Sequence, residues 1–299
     1  MGHPAPHRPD PAETGPGVIV TLDGRTHPPD APLLYADDLA ALRGDGVFET
    51  LLVRNGRACL VEAHLRRLAG SAELMDLPAP DLAAWREAIA VAVRHWPGPA
   101  EAILRLIYSR GRENGADPTC YVLLTALPDR IRDTRANGVA AITLQRGLPT
   151  GAESWLLAGA KTLSYGVNMA ALRHAARRGA DDVIFVGPDG TVLEGPRSTV
   201  VIAQPDDDGV RLLTPPHSQP ILEGTTQRAL FALAGTDSSD FSACEYRSLQ
   251  VADLLAADGV WLVSSVTLAA RVHTLNGTRL ATPTLGRQFD DLVVAAVTS

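Results

Sequence analysis

Lysine is almost absent from this sequence. Its 27 basic residues include one lysine, Lys161, and are otherwise arginine. Arginine stays protonated at any accessible pH, whereas a desolvated lysine can lose its proton and become a nucleophilic amine. The count leaves two interpretations open: a lysine retained by chance at the surface, or one used for Schiff-base chemistry.

Cysteine, positive charge and long apolar runs are also scarce. The three cysteines are far apart and match neither a disulfide framework nor a zinc spacing, so we expect free thiols and no metal. A formal net charge of −7 disfavours nucleic acid as a partner. No apolar run approaches the roughly 18–20 residues that span a bilayer, and the proline-rich start lacks a signal peptide's apolar segment. We therefore expect a cytoplasmic protein with no membrane partner.

A chain of 299 residues is long enough for two domains. The pattern predicts a disordered segment over 1–17, a small N-terminal domain over 18–144, a linker over 145–153 and a C-terminal domain over 154–299. In the first half, Asn55-Gly56 predicts a hairpin turn, and apolar spacing predicts a helix from Glu62 to Met75. Strands that alternate with few helices indicate the α+β class.

The second half contains short strands and two predicted helices, the later one capped by threonine in LEGTTQRALFALAG. Two nucleotide-binding motifs are missing. Ala160 stands directly before Lys161, where a P-loop requires glycine, and no G-x-G-x-x-G lies between a strand and a helix. These differences exclude a P-loop NTPase and argue against a Rossmann cofactor site.

Three local signals have both a structural and a functional interpretation. Glu194 ends a strand before glycine, which is typical of a surface turn but also of a carboxylate aimed into a site. Thr225 and Thr226 begin a helix, where they can act as caps or beside a bound phosphate. Arg67 lies one position from the apolar helix face, so it can point to solvent or inward. Together with Lys161 they match the needs of pyridoxal phosphate.

At this point the chain resembles the class IV aminotransferases, the fold-type IV pyridoxal-phosphate enzymes. The matching segments run in family order and cover nearly everything after residue 18: RGDGVFETLLV (43–53), EAHLRRL (62–68), LRLIYSRG (104–111), AKTLSY (160–165), LEGPRSTVV (193–201), ILEGTTQ (221–227) and WLVSSVTLAARV (261–272). The resemblance implies two domains, a small N-terminal α/β sandwich and a larger C-terminal domain with a β-barrel-like core. It also implies a homodimer.

The resemblance implies a role for each matching residue around the cofactor. Lys161 would be the catalytic residue that carries the cofactor covalently and moves protons, and Glu194 would face the pyridine nitrogen. Arg67 would bind the phosphate. The other cofactor-binding residues would be Tyr165, Ser198, Thr199, Leu222, Gly224, Thr225 and Thr226.

Substrate contacts are less specific in the sequence. The candidates are Arg43, Phe48, Arg105, Arg110, Ser265, Val266 and Thr267. The chain also departs from the family pattern, because Pro196-Arg197 follows the Glu-Gly pair where small residues are common. The sequence therefore leaves open which arginines bind a substrate carboxylate and where Arg197 points.

The resemblance favours one reaction over two alternatives. Within the family, the RGDGVFET opening, the SRG of 109–111 and SSVTLAARV near the C-terminus are most similar to actinobacterial 4-amino-4-deoxychorismate lyases. These enzymes release 4-aminobenzoate, a folate precursor, and pyruvate, so we expect a small-molecule substrate. A D-amino-acid or branched-chain transaminase is the alternative. A pyridoxal-phosphate-binding protein without turnover is disfavoured, because lysine, glutamate and arginine are all retained.

Overall fold

The computed structural model describes residues 17–115, 117–147, 157–207, 209–235 and 240–298. The predicted disordered segment therefore lies outside the described residues except for Gly17, which begins the first strand. Most of the predicted linker, from residue 148 on, also lies outside them.

The first half of the chain forms a six-stranded sheet with helices packed against it. The elements in order are β1 (Gly17–Thr21), β2 (Thr26–His27), α1 (Leu39–Arg43), β3 (Gly46–Arg54), β4 (Arg57–Ala58), α2 (Val61–Leu74), α3 (Leu82–Arg94), β5 (Glu101–Ser109) and β6 (Thr119–Ala126). The strand order is β2-β1-β6-β5-β3-β4, and each pair in this sheet is antiparallel.

The second half forms an eight-stranded sheet. Its elements are α4 (Asp129–Asn137), β7 (Val139–Gln145), α5 (Gly166–Arg177), β8 (Asp182–Val186), β9 (Thr199–Asp206), β10 (Gly209–Thr214), α6 (Thr225–Ala234), β11 (Ala243–Tyr246), α7 (Val251–Ala256), β12 (Gly259–Ser264), β13 (Leu268–Leu275), β14 (Thr278–Arg279) and α8 (Gly286–Thr298). The strand order is β11-β10-β9-β12-β13-β7-β8, with β14 paired to β13.

The chain crosses between the sheets earlier than the pattern predicts. Strand β7 pairs in parallel with β13 and β8, so Val139–Gln145 belongs to the second sheet. The predicted boundary at residue 144 would leave nearly all of this strand in the N-terminal domain. The crossing instead occupies the segment of α4, before Val139.

Local signals explain why helices α2 and α3 form. Helix α2 buries Leu65, Leu68 and Ala72, the face that the apolar spacing indicates. Asp81 accepts hydrogen bonds from the Ala83 and Ala84 amides and so caps α3. These helices cover one face of the first sheet, and their buried side chains, including Trp85 of α3, form its core.

Candidate active site

A cavity of about 640 Å³ lies between the two sheets. It is lined by residues from both halves of the chain, and all but two of the site residues named above are among them: Phe48, Arg67, Arg105, Lys161, Tyr165, Glu194, Ser198, Thr199, Leu222, Gly224, Thr225, Thr226, Ser265, Val266 and Thr267. The fold therefore brings together residues that are up to about two hundred positions apart in the sequence.

Arg43 and Arg110 are the two exceptions, and neither lines this cavity. Arg43 is largely exposed and forms an ion pair with Glu113. Arg110 binds Asp45 at 2.8 Å and donates to the Met75 carbonyl at 2.7 Å. Both guanidinium groups are therefore held by other parts of the first domain.

Lys161 belongs to a segment that is attached to the first sheet. Its carbonyl accepts a hydrogen bond from the Phe48 amide at 3.0 Å, and its own amide donates to Ser71 Oγ at 3.0 Å. The Leu163 amide donates to the Gly46 carbonyl at 2.8 Å. These contacts hold the lysine backbone along β3, although the residue follows β7 in the sequence.

The environment of Lys161 favours the neutral amine. Burial, followed by the nearby Arg67 guanidinium, lowers the pKa of Lys161 to about 8. Its Nζ lies 4.4 Å from the centre of the Phe48 ring and 5.7 Å from that of Tyr165. A fraction of this amine is therefore unprotonated near neutral pH and can attack a carbonyl carbon.

Glu194 faces the same cavity from the loop before β9, and both of its carboxylate oxygens accept hydrogen bonds. Arg146 Nη1 donates to Oε1 at 2.7 Å, and the Leu222 amide donates to Oε2 at 3.0 Å. Burial raises the pKa of Glu194, while Arg146 acts in the opposite direction. The geometry fits a carboxylate that can pair with a protonated ring nitrogen.

Arg67 is fixed by a buried carboxylate that the sequence analysis does not identify. Its Nε and Nη2 donate to the two oxygens of Glu49 at 2.7 and 2.8 Å, and its Nη1 donates to the Glu223 carbonyl at 2.7 Å. A guanidinium has five N–H donors, so two remain for a ligand. Although burial alone would raise it, the pKa of Glu49 is held well below its usual range by Arg67 and His64.

His64 extends this group of buried polar side chains. Its Nδ1 lies 2.6 Å from Glu49, and its Nε2 lies 3.3 Å from both Thr225 Oγ1 and Ser265 Oγ. Burial lowers the pKa of His64, so the ring is neutral. Because ionised Glu49 only accepts, Nδ1 carries the proton and Nε2 is an acceptor for the hydroxyl groups.

The N-terminus of α6 opens into the cavity beside Arg67. Gly224 is the N-cap residue, and no side chain caps this helix, so the predicted threonine cap is wrong. A Cβ at Gly224 would lie 2.3 Å from Thr199 Oγ1, which explains why glycine occupies this position. Thr225 uses its hydroxyl toward His64 instead.

Two hydroxyl groups at the cavity are buried without a hydrogen-bond partner among the described residues: Ser198 Oγ and Thr226 Oγ1. Unpaired buried hydroxyls are costly and point to a missing partner. With the helix N-terminus and the two free N–H groups of Arg67, they form a donor set that suits a phosphate dianion. The residues therefore fit pyridoxal phosphate, with Glu194 at the ring nitrogen.

The remaining predicted residues also have defined positions. Tyr165 Oη donates to the Pro196 carbonyl at 2.7 Å, and its ring packs edge-on against Phe48. Arg197 is exposed and lines the cavity. Leu222 packs at the cavity wall beside the carboxylate.

Sequence reasoning missed four residues. Arg130 and Arg146 line the cavity, and Glu49 and His64 lie behind Arg67. One signal was available: Glu49 stands inside an apolar strand, where an unpaired carboxylate would be costly. His64 and Arg67 are three residues apart and so share a helix face. Nothing local indicates that Arg146 reaches Glu194, because the two are 48 positions apart.

Comparison with known proteins identifies the family. The profile of amino-transferase class IV matches residues 46–275, and the chain belongs to this family. Members use pyridoxal phosphate, so the protein is a pyridoxal-phosphate-dependent enzyme that acts on small molecules.

Three relatives are similar over nearly the whole chain. A bifunctional aminodeoxychorismate lyase / D-amino acid transaminase from Mycobacterium tuberculosis is 61% identical over 94% of this chain and 99% of its own. A hypothetical aminotransferase from the same species, solved with PLP, has a TM-score of 0.90 at 61% identity, over 94% and 98% of the two chains. A fold IV-transaminase from Curtobacterium pusillum has a TM-score of 0.85 at 38% identity, over 94% and 97%. The fold is thus fold-type IV, as the resemblance predicts.

The described residues lack two further features. No helix among them has the length and apolar character to cross a membrane. Within the same residues, no group of three or more His, Cys, Asp or Glu side chains is arranged to hold a metal ion.

Proposed function

We propose that the protein is a 4-amino-4-deoxychorismate lyase that also transaminates D-amino acids in the same cavity. The proposal rests on the 61% identical relative that carries both activities and on a cavity that combines Lys161 with Glu194. A branched-chain transaminase remains the alternative within the family.

Pyridoxal phosphate, when bound, supplies an aldehyde for imine formation and a ring that accepts an electron pair. Arg67, the N-terminus of α6, Ser198 and Thr226 would hold its phosphate, and Glu194 its ring nitrogen. Leu222 would pack on a ring face. The residues thus divide into an anion-binding end and a carboxylate end within one cavity.

Lys161 performs the proton transfers in both reactions. Its neutral Nζ removes the proton from the carbon that bears the substrate's amine. In the transaminase, Lys161 would then return the proton to the carbon that was the aldehyde carbon of the cofactor. In the lyase, the ether oxygen on the neighbouring ring carbon leaves with its electron pair, and the substrate ring becomes aromatic. The leaving enolpyruvate takes up a proton and becomes pyruvate.

Glu194 and Arg146 support these steps by holding a negative charge at a fixed place. The carboxylate would keep the pyridine nitrogen of a bound cofactor protonated, since neutralising that nitrogen would leave Glu194 buried without a cation on that side. Arg146 favours the ionised carboxylate from behind, because it lowers the pKa that burial raises. The chain would therefore move one proton at Lys161 and stabilise another on the cofactor nitrogen opposite Glu194.

The test supplies purified enzyme with 4-amino-4-deoxychorismate and, separately, with D- and L-amino acids and 2-oxo acids. We expect 4-aminobenzoate and pyruvate from the first, and transamination of D-amino acids in the second. Transamination of branched-chain L-amino acids without any aromatic product would favour the alternative.

A variant links the activity to the predicted nucleophile. Lys161→Arg keeps the charge but forms no imine, so we expect both activities to disappear. Borohydride reduction of the wild-type holoenzyme is expected to fix the cofactor on the peptide that contains Lys161. Cofactor found on no such peptide would contradict the proposal.

We further propose a homodimer in the cytoplasm, on the strength of the family resemblance. Light scattering of an active preparation tests the assembly. The mass of a single 31.6 kDa chain would contradict the dimer.

A further inference from the structure

The turn between β12 and β13 forms part of the cavity wall and carries backbone strain at its end. Its three residues all line the cavity: Ser265, Val266 and Thr267. Ser264 pairs with Leu268 across the hairpin, and Leu268 has a φ of 63°, in the left-handed region that favours glycine. A bulky residue in this region persists only where the surrounding contacts hold it. The contacts of this turn therefore decide the shape of the wall.

Elements outside the second sheet hold the turn in place. Ser265 Oγ lies 3.3 Å from His64 Nε2, on α2. The Val266 carbonyl accepts a hydrogen bond of 2.5 Å from Arg135 Nη2, on α4. The Val266 side chain belongs to a small apolar cluster with Ile103, Leu127 and Ile131. Of these three contacts, the one from Arg135 joins a charged donor to the backbone of the turn.

Arg135 is itself fixed to the first sheet. Its Nη1 donates to both oxygens of Glu101, at 3.1 and 2.8 Å, and Glu101 is the first residue of β5. The two side chains are 18% and 17% exposed, so solvent screens the pair weakly. Hydrogen bonds with an ionised partner are also stronger than neutral ones. One guanidinium thus connects a carboxylate of the first sheet to a carbonyl in a turn of the second.

Loss of this guanidinium would change the wall without removing any group that lines it. Arg135 lines neither this cavity nor the smaller one beside it. Its removal would leave the buried Val266 carbonyl without this donor and would release the strained turn. Ser265 and Thr267 flank Val266, so a rotation of its carbonyl moves both neighbours. The effect on a ligand in the cavity is therefore indirect.

We propose that Arg135 is a positioning residue that holds the turn of residues 265–267 against the cavity through the Val266 carbonyl. By binding Glu101 at the same time, it fixes this wall to the first sheet. The effect on substrate rests on the proposed function, and it assigns part of the substrate affinity to a residue outside the cavity.

Hydrogen exchange tests the structural part of the proposal without turnover. In the holoenzyme of Arg135→Met, we expect amides in the peptide that spans residues 264–268 to exchange at least tenfold faster than in wild type. Arg132→Met is the matched control. Arg132 lies on the same helix and also contacts one carbonyl and one carboxylate, those of Leu127 at 3.4 Å and Asp129 at 2.7 Å, but it does not reach the turn.

Kinetics test the effect on substrate. Lys161 and Glu194 are held by separate contacts, with Ser71 and Arg146, so the reacting groups stay in place when the turn moves. For Arg135→Met we expect the KM for D-alanine to rise about tenfold and kcat to stay within about twofold. A general loss of folded protein would instead lower kcat and leave KM unchanged. Arg135→Lys is expected to restore part of the KM, because an ammonium can still donate to the carbonyl.

Glu101→Gln provides a second variant in case Arg135→Met does not fold, as judged by circular dichroism. It leaves every contact of the turn itself in place but weakens the anchor of Arg135, so faster exchange at residues 264–268 is expected here too.

Two results would overturn the inference. One is exchange at residues 264–268 that is equal in wild type, Arg132→Met and whichever of the two test variants folds. The other is an unchanged KM for D-alanine in Arg135→Met. Failure of the proposed function gives a different result: wild type turns over neither D-alanine nor 4-amino-4-deoxychorismate, and the exchange data alone then decide whether Arg135 holds the turn.

Discussion

Arg146 lies behind Glu194 and donates a hydrogen bond of 2.7 Å to its Oε1. The arginine follows the last residue of β7, and the glutamate precedes β9, so the ion pair connects two separate parts of the second domain. Burial raises the pKa of Glu194, and Arg146 offsets part of that effect. The pKa of the Glu194 carboxylate therefore depends on a residue that lies outside the sequence motif LEGPRSTVV.

We expect Arg146→Met to slow the D-alanine half-reaction at least tenfold, because the pKa of Glu194 would rise further and its carboxylate would hold a protonated nitrogen less strongly. Stopped-flow absorbance measures the rate. Arg146→Lys is expected to restore part of it. Arg112→Met, which removes an exposed ion pair with Asp37, is the control. A wild-type rate in Arg146→Met would show that Arg146 does not set the charge.

The lowered pKa of Lys161 predicts a pH dependence of stability in the apoenzyme. The lysine titrates near 8 when folded and near 10.5 when unfolded. Between these values the unfolded chain binds more protons, so this group makes stability rise with pH across the window. Below pH 8 the buried ammonium costs about 3 kcal/mol.

The measurement compares wild type with Lys161→Met by urea unfolding of the apoenzymes from pH 7 to 10.5. We expect the variant to be more stable at pH 7 and its advantage to shrink as pH rises through the window. An advantage that stays constant over this range would mean that the lysine has an ordinary pKa in the folded protein.

Glu49 is expected to be essential for stability. Glu49→Gln leaves the Arg67 guanidinium buried without its counter-charge, which typically costs about 3–5 kcal/mol. Urea unfolding of the apoenzyme gives the free energy. Glu62→Gln is the control, since Glu62 forms an exposed pair with Arg86 and its removal is expected to leave the midpoint almost unchanged. Equal effects of the two substitutions would contradict the buried network.

The two neighbouring threonines at α6 are expected to respond differently. Thr226 Oγ1 has no partner among the described residues, so Thr226→Val is expected to leave apoenzyme stability unchanged or higher, yet to weaken cofactor binding about tenfold. Thr225 Oγ1 contacts His64, so Thr225→Val is expected to lower stability. Thermal unfolding and cofactor titration separate the two effects. Cofactor affinity unaffected by Thr226→Val would remove this hydroxyl from the phosphate site.

Local patterns predict helices such as α2 and α6 but not α4 or α8, and they predict the site's supporting residues poorly. The spacing of Leu65, Leu68 and Ala72 gives the buried face of α2 because helix periodicity is a property of neighbouring residues. Motif resemblance places Lys161, Glu194 and Arg67 in one cavity. Their partners depend instead on contacts between distant strands and loops, which no short pattern contains.

The errors have the same origin. The predicted boundary at residue 144 keeps β7 with the first half, yet parallel pairing with β13, more than one hundred residues later, assigns it to the second sheet. Thr225 has the residue type of a helix cap, but its hydroxyl contacts His64, and the helix is left uncapped. In both cases a tertiary contact outweighs the local preference.

The attachment of Lys161 to β3 decides what sets the separation of the lysine amine and the Glu194 carboxylate. The amine is fastened to the first sheet, while Glu194 lies beside the strands of the second. A substitution that shifts the two sheets relative to one another would therefore move the amine with respect to the carboxylate even if each sheet kept its own structure.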